Sequence, residues 1–289
     1  MNRRTFARTL GAAGVSLLPM HLARGEGEGA RTEFVGVLVD TTRCVGCRSC
    51  EFACAEAHGF PPPDPDERVI EKERAPTVTQ WSIVNQYSTD RGPVSIKKQC
   101  MHCNQPACAS ACLTKAMLKT EEGPVIWREP KCMGCRFCMV SCPFDIPKFE
   151  YDSPVPKIQK CTLCWERLQE GRIPACVEAC PADALAFGKR ADLIKEAYRR
   201  ISSSPDQYVY HVYGEHEAGG TGYLYLAGVP FEQLGFPPGV ERIAYPEFSK
   251  DYLYAVPIVL TLWPAFLLAL SNATKKETEP SDYEMGHDE

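Results

Sequence analysis

Residues 132–143 read CMGCRFCMVSCP, and this stretch decides the fold. Its cysteines are separated by two, two and three residues, and Pro143 follows the last of them. A chain that turns this tightly can wrap a small inorganic cube and present three thiolates to three of its corners. The chain then leaves along a helix, so the fourth thiolate is directed to a second centre. The stretch therefore predicts ligands of iron-sulfur clusters.

Three further runs share a CxxC opening and a CxxxC close, although run two widens one gap and run four separates its halves by eleven residues. Run one is Cys44, Cys47, Cys50 and Cys54; run two is Cys100, Cys103, Cys108 and Cys112; run three is Cys132, Cys135, Cys138 and Cys142; run four is Cys161, Cys164, Cys176 and Cys180. In two-cluster ferredoxins each run lends its last cysteine to the partner's cluster. Four runs thus predict four 4Fe-4S clusters in two ferredoxin-like double-cluster halves.

Zinc binding and disulfide formation are two other uses of sixteen cysteines. Two CxxC pairs can form a four-thiolate zinc site, which would make the chain an exported, zinc-stapled binding protein. An exported chain can also use its cysteines as eight disulfides. Three thiolates at ferredoxin spacing, repeated and closed twice by a proline, fit a cube better than either.

The first 30 residues are predicted to be a twin-arginine signal segment. Arg3 and Arg4 are adjacent, and a mildly apolar run extends from Leu10 to Met20. This export route resembles one taken by proteins already folded around a cofactor. Thiols can therefore serve as metal ligands despite an oxidising destination.

A membrane anchor is predicted near the other end of the chain. Residues 253–270 contain no charge, and as a helix they would span about 27 Å, close to the roughly 30 Å of a hydrocarbon core. Pro257 and Pro264 disfavour a soluble helix more than a membrane one. We expect a single transmembrane helix over 251–271, a cytoplasmic tail over 272–289 and the cysteines on the periplasmic side.

The remaining sequence indicates an α+β fold without substrate chemistry. A domain over 34–190 holds the cysteines, with an inserted hairpin from WSIVNQYS and VSIKK, and a helix-and-strand extension covers 191–250. Strands are also predicted at 208–213 and 222–228. No nucleotide-binding or hydrolase motif is present, and a net charge of -5 gives no reason to expect nucleic-acid binding.

Charged and imidazole side chains near the runs could tune clusters. The histidines considered are His58 and His102, for which surface or packed positions are favoured over a redox role. The flanking cations, none of which is assigned a role, are Arg43, Arg48, Lys97, Lys98, Lys131, Arg136, Lys148, Lys157, Lys160 and Arg167.

From Phe34 to about Pro238 the chain resembles the four-cluster ferredoxin-like subunits of membrane respiratory oxidoreductases. The segments that carry the resemblance are CMGCRFCMVSCPFDIPKFEYD, KCTLCWERLQEGRIPACVEACPADALAFG and GGTGYLYLAGVPFEQLGFP. Ala55 and Leu113 directly follow runs one and two, where runs three and four have a proline, and this difference affects no ligand. The resemblance implies a non-catalytic electron-transfer subunit.

The resemblance also implies how the runs pair, whereas spacing alone would allow other pairings. Run one pairs with run four, and run two with run three. The implied ligand sets are set I, Cys44, Cys47, Cys50 and Cys180; set II, Cys54, Cys161, Cys164 and Cys176; set III, Cys100, Cys103, Cys108 and Cys142; and set IV, Cys112, Cys132, Cys135 and Cys138.

An export signal together with a membrane helix looks most like the subunits of periplasmic NiFe hydrogenases of the Hyb type. That resemblance implies the hydrogenase small and large subunits and an integral membrane quinone-reactive subunit as partners. A molybdopterin catalytic subunit, of the formate dehydrogenase or the polysulfide or nitrite reductase type, is the alternative.

Overall fold

The computed structural model describes residues 33–274, which form a mixed α and β fold. The predicted signal segment over 1–30 and residues 275–289 of the predicted tail lie outside the described residues. The strands are β1 Val35–Asp40, β2 Ile83–Thr89, β3 Gly92–Lys98, β4 Met117–Lys119, β5 Val125–Trp127, β6 Lys148–Phe149, β7 Ile158–Gln159, β8 Leu185–Lys189 and β9 Tyr223–Leu226. The helices are α1 Ser49–His58, α2 Ala107–Ser110, α3 Phe137–Val140, α4 Trp165–Gln169, α5 Ala175–Glu178, α6 Arg190–Ser203 and α7 Tyr245–Thr274.

A three-stranded sheet in the order β8-β1-β9 supports the first and last runs. Strand β1 pairs antiparallel with β8 and parallel with β9. Helix α6 covers one face of this sheet, because Leu193, Ala197 and Ile201 recur every four residues and are buried there. Run one leaves the sheet after β1, and run four returns to it through β8. The sheet thus brings the two runs together.

The predicted inserted hairpin is present as β2 and β3. The two strands pair antiparallel over their whole length, from Ile83 opposite Lys98 to Thr89 opposite Gly92. Gly92 has a φ of 97°, a left-handed conformation that glycine adopts without strain. Residues Ile83, Val84 and Ile96 are buried, so the hairpin contributes one wall of the core.

The strand prediction at 222–228 is confirmed by β9, whereas the one at 208–213 is wrong. Within that segment only Tyr213 makes a bridge, to Tyr225. The Val209 amide also donates to the Ala227 carbonyl at 2.9 Å, but between these two points the His211 amide donates to the Val209 carbonyl at 2.8 Å, which forms a local turn. Alternating side chains indicated a strand here, but the local turn interrupts the pairing, so the segment bonds to β9 and the residue after it only at separate points.

Runs two and three lie in a region built from short elements. Two-stranded ribbons β4-β5 and β6-β7 flank the single-turn helices α2 and α3. Those helices contact one another. Met117, Val125 and Ile158 form their small apolar core together with cysteines of both runs.

Helix α7 begins at Tyr245 and ends at Thr274, which is longer than the predicted 251–271 span. It is about 45 Å long at 1.5 Å per residue and includes Pro257 and Pro264. Its apolar side chains are exposed, among them Leu260, Trp263 and Leu268. Within residues 33–274 it is the one helix long and apolar enough to cross a membrane.

Candidate metal centre

All four runs open with the same loop conformation. The second residue after the first cysteine of each run has a left-handed backbone: Gly46 with φ 73°, His102 with φ 50°, Gly134 with φ 71° and Leu163 with φ 58°. A left-handed residue in a tight turn directs successive backbone N–H groups into one concavity, which favours an anion. A cluster ligated by four thiolates is such an anion.

The ends of the runs repeat as well. The third residue after the last cysteine of runs two, three and four is also left-handed, with φ values of 55° for Lys115 and 47° for both Asp145 and Asp183. Two of these three residues are aspartates, a type that tolerates this conformation. The repetition of both turns indicates one structural unit used several times.

The described residues bring the cysteines together in small groups drawn from different runs. One cavity is lined by the four cysteines of set I, and a second cavity by the four cysteines of set IV. Cys180 therefore lies beside run one, although 130 residues separate it from Cys50. Similarly, Cys112 of run two lies beside run three.

The other eight cysteines interact electrostatically within sets II and III. Burial raises the pKa of Cys54 well above its ordinary value, and the thiols of Cys161, Cys176 and Cys164 raise it further. Burial likewise raises the pKa of Cys103, with added contributions from the other three members of set III. Each group thus contains one cysteine from the end of a different run.

The buried thiols are poor anions by themselves. Burial raises the pKa of Cys161 and of Cys108 to about 12, and that of Cys138 and of Cys142 to about 11. At neutral pH these side chains are neutral thiols unless a metal cation replaces the proton. All sixteen cysteines are free of disulfide bonds. The donor set therefore fits thiolate-bound iron.

The zinc alternative requires four thiolates around a single ion. Within residues 33–274, no three side chains of the His, Cys, Asp and Glu types are close enough to hold one metal ion. The concave anion-favouring loops and the cysteine-lined cavities fit the wider body of a 4Fe-4S cube instead.

Cysteines of different sets are close to one another. Cys50 of set I is an electrostatic neighbour of Cys176 in set II. Cys161 of set II is a neighbour of Cys100 in set III, and Cys108 of set III is a neighbour of Cys138 in set IV. Set II is therefore next to sets I and III, and set III is next to set IV.

Three buried or half-buried lysines lie among the sets. Lys97 lines the cavity of set I, and Lys160 is buried beside Cys161, whose carbonyl accepts from its Nζ at 3.0 Å. Lys119 donates to the His102 carbonyl at 3.2 Å, and burial lowers the pKa of Lys119 to about 8. Sequence reasoning named Lys97 and Lys160 but missed Lys119, whose only signal was its position soon after run two.

The two histidines have different environments. His102 is buried as a packed residue, and its Nδ1 accepts from the Val125 amide at 2.9 Å. His58 lies 3.7 Å from the sulfur of Cys164 through its Nε2, and its ring is 4.5 Å from that of Trp81. Burial lowers the pKa of His58. His58 therefore contacts a cysteine of set II rather than standing apart from the cysteines.

Comparison with known proteins shows the family of the chain. The sequence profile of the 4Fe-4S dicluster domain matches residues 94–190. Hydrogenase-2 operon protein HybA of Escherichia coli O157:H7 is 33% identical, over 100% of this chain and 99% of its own length. The chain belongs to the HybA family of 4Fe-4S electron-transfer subunits. A protein of Nitratidesulfovibrio vulgaris Hildenborough is 43% identical over 96% of this chain and 78% of its own length.

More distant relatives widen the family. The iron-sulfur subunit of the nitrate-inducible formate dehydrogenase of Escherichia coli K12 is 30% identical over 66% of this chain and 67% of its own length. Because this chain belongs to the HybA family, its function is electron transfer within a respiratory oxidoreductase. Its cofactors are multiple 4Fe-4S clusters. The long apolar helix α7 fits a membrane anchor.

Proposed function

We propose that the chain holds four 4Fe-4S clusters, one in each of sets I to IV, and relays electrons along them. Sets I and II form one double-cluster half, and sets III and IV form the other. A 4Fe-4S cluster accepts or donates one electron at a time. The observation that carries this proposal is that each set is next to the following one, I to II, II to III and III to IV.

The relay has a membrane end and a catalytic end. Helix α7 contacts α2, which carries Cys108 of set III. Set IV follows set III, so sets III and IV lie on the side of the anchor. Set I lies at the opposite end of the line and faces the catalytic partner. Electrons from a catalytic subunit would enter at set I and leave at set IV.

The partners we propose are a NiFe hydrogenase, with its small and large subunits, and an integral membrane quinone-reactive subunit. The match to a hydrogenase-2 operon protein over the full length of both chains supports this choice. A molybdopterin catalytic subunit is the second candidate, because the formate dehydrogenase relative also matches over two thirds of its length.

We further propose that the cysteine domain faces the periplasm and that α7 is its single anchor. Deleting residues 253–289 should release the subunit from membranes while its iron content stays unchanged, since no cysteine lies beyond Cys180. Membrane fractionation and iron analysis test this. Loss of iron on truncation, or retention in the membrane, would contradict it.

The function as a whole is tested by purifying the detergent-solubilised complex through a tag on this chain. Iron, nickel, molybdenum, tungsten and zinc are then measured together by elemental mass spectrometry. Nickel with abundant iron supports the hydrogenase relay. Molybdenum or tungsten in place of nickel supports the second candidate, and zinc without iron would refute electron transfer.

A further inference from the structure

Lys97 occupies an unusual position for a lysine. It lies on β3 of the inserted hairpin, and its side chain is buried, with 2% of the residue exposed. Side chains alternate along a strand, so the neighbouring Lys98 points the other way, towards Tyr87 and the Gly235 carbonyl. Lys97 lines the same cavity as the four cysteines of set I. The hairpin thus places one positive charge beside the cysteines of set I.

The same ammonium also reaches set II. Its Nζ lies 5.2 Å from the centre of the Tyr223 ring, and the Tyr223 hydroxyl is 3.8 Å from the sulfur of Cys176. Cys50 of set I lines the same cavity as Lys97, and Cys176 belongs to set II. Lys97 therefore stands between two neighbouring sets.

Polar neighbours hold Lys97 without neutralising it. Its Nζ donates to Oε1 of Gln99 at 2.7 Å, and Nε2 of Gln99 donates to the Tyr225 hydroxyl at 2.7 Å. That hydroxyl donates to the backbone carbonyl of Lys97 at 3.0 Å, which closes a ring of hydrogen bonds. Within residues 33–274, Lys97 forms no salt bridge with a carboxylate. Its charge therefore remains available to the two sets.

We propose that Lys97 tunes electron transfer. Its single buried ammonium raises the reduction potentials of both clusters, the one in set I and the one in set II. The proposal rests on the proposed function, because it assumes that these two sets hold clusters. Each one-electron reduction adds one negative charge to a site. A fixed positive charge nearby stabilises the reduced state, and one placed between two clusters raises both of their potentials.

The size of the effect follows from Coulomb's law. Two opposite charges several ångströms apart in a protein interior attract each other strongly, even at an effective dielectric constant of about 20. This attraction is well above the free energy that changes an equilibrium constant tenfold. Removing the charge should therefore shift the reduction equilibrium of each of the two clusters at least about tenfold, or about 59 mV for a one-electron couple.

The experiment is a redox titration of the tagged, full-length complex, followed by electron paramagnetic resonance. Lys97→Met removes the charge and keeps the length of the side chain, and Lys97→Arg keeps the charge. Lys98→Met is the matched control, since it removes the adjacent lysine that faces away from the cysteines. We expect two midpoint potentials to fall by about 59 mV or more in Lys97→Met, with the other two unchanged, and none to fall in the control or in Lys97→Arg.

The outcomes separate this proposal from the function. Full iron content with four unchanged potentials in Lys97→Met would overturn the role of Lys97 and leave the relay intact. Absence of iron from the unaltered complex would instead refute the proposed function. If Lys97→Met loses iron, Lys97→Gln is titrated in its place. Loss of iron from both neutral variants would overturn the tuning proposal in favour of a structural role.

Discussion

The two ends of the cysteine line differ in what the fold places around them. Each end has one exposed thiol, Cys47 in set I and Cys135 in set IV. Around set I the chain adds the hairpin β2-β3 and the buried charge of Lys97. Around set IV it adds only short ribbons and leaves large apolar side chains in solvent. The most exposed of these are Leu113 at 89%, Val140 at 81%, Met133 at 64% and Phe137 at 55%.

The two ends differ in how much of the chain packs around them. The 45 residues between Cys54 and Cys100 pack against sets I and II, with Trp81 beside the cysteines of set II and Lys97 beside those of set I. Set IV lacks such a wall. An exposed apolar patch of this kind is typical of a protein contact, and under the proposed orientation the membrane subunit covers it.

The largest effect is expected from removing a ligand. Cys138→Ala in set IV should strip or convert one cluster, lower iron by up to about a quarter and interrupt electron flow to quinone. Cys50→Ala should cost the same iron in set I and should also loosen the core, since Cys50 packs in the main apolar cluster. Iron analysis and quinone reduction test both variants. Unchanged iron and unchanged quinone reduction in Cys138→Ala would contradict the ligand assignment.

The next effect concerns the attachment of the hairpin to set I. Glu51 on α1 is buried and accepts from Arg48 at 3.0 Å, from Arg74 at 2.6 Å and from the Val84 amide on β2 at 2.5 Å. Glu51→Ala would leave two arginines without their partner. Removing one member of a buried ion pair costs about 3–5 kcal/mol.

We call the hairpin β2-β3 together with sets I and II the hairpin side. We therefore expect Glu51→Ala to lower the free energy of unfolding of the hairpin side markedly, while the iron of sets III and IV is kept. The urea midpoint, followed by loss of cluster absorbance, measures this. Glu56→Ala, on the exposed side of the same helix, is the matched control. Equal midpoints for the two variants would show that Glu51 does not attach the hairpin.

The sequence predicted the parts of this comparison that depend on local spacing. The cysteine runs, the hairpin and the helix of the 191–250 extension all follow from short-range patterns, and each is present. The position of Lys97 does not follow, because whether Lys97 or Lys98 faces the cysteines depends on the register of β3 and on how the hairpin packs. The Glu51 network depends likewise on contacts 23 to 33 residues away.

Two other features also required tertiary information. Residues 208–213 have the alternation of a strand, yet a strand needs a partner along its length, which only the fold can provide. The exposed patch at set IV is invisible in sequence, because Leu113 and Val140 are apolar like any core residue. Only their burial distinguishes a surface residue from a core residue.

Aspartate substitutions in the exposed patch should separate the two ends functionally. Leu113→Asp and Val140→Asp should leave iron content unchanged and lower electron delivery to quinone about tenfold, equivalent to about 1.4 kcal/mol, as for a moderate interface residue. Reduction of a small soluble dye should persist. Val45→Asp, 70% exposed beside set I, should instead lower the reduction of both acceptors. If Leu113→Asp impairs dye and quinone equally, the proposed orientation is wrong.

The smallest expected effect is a dependence of the stability of the hairpin side on pH. His211 packs against Phe231, with ring centres 5.2 Å apart, and its Nε2 lies 2.8 Å from a carboxylate oxygen of Glu217. This hydrogen bond raises the pKa of His211. A raised pKa means that the stabilisation is fully present below the unfolded-state pKa of about 6.5 and is lost as pH rises through the folded-state value.

Because about half of the His211 side chain is exposed, the contribution should be below about 1 kcal/mol. Raising the pH from about 6 to about 8.5 should lower the urea midpoint of the hairpin side slightly, and His211→Gln should remove that slope. His216→Gln is the control, since its imidazole lies 3.7 Å from Glu215, a looser pair. An unchanged slope in His211→Gln would show that the pair does not couple protonation to the packing around sets I and II.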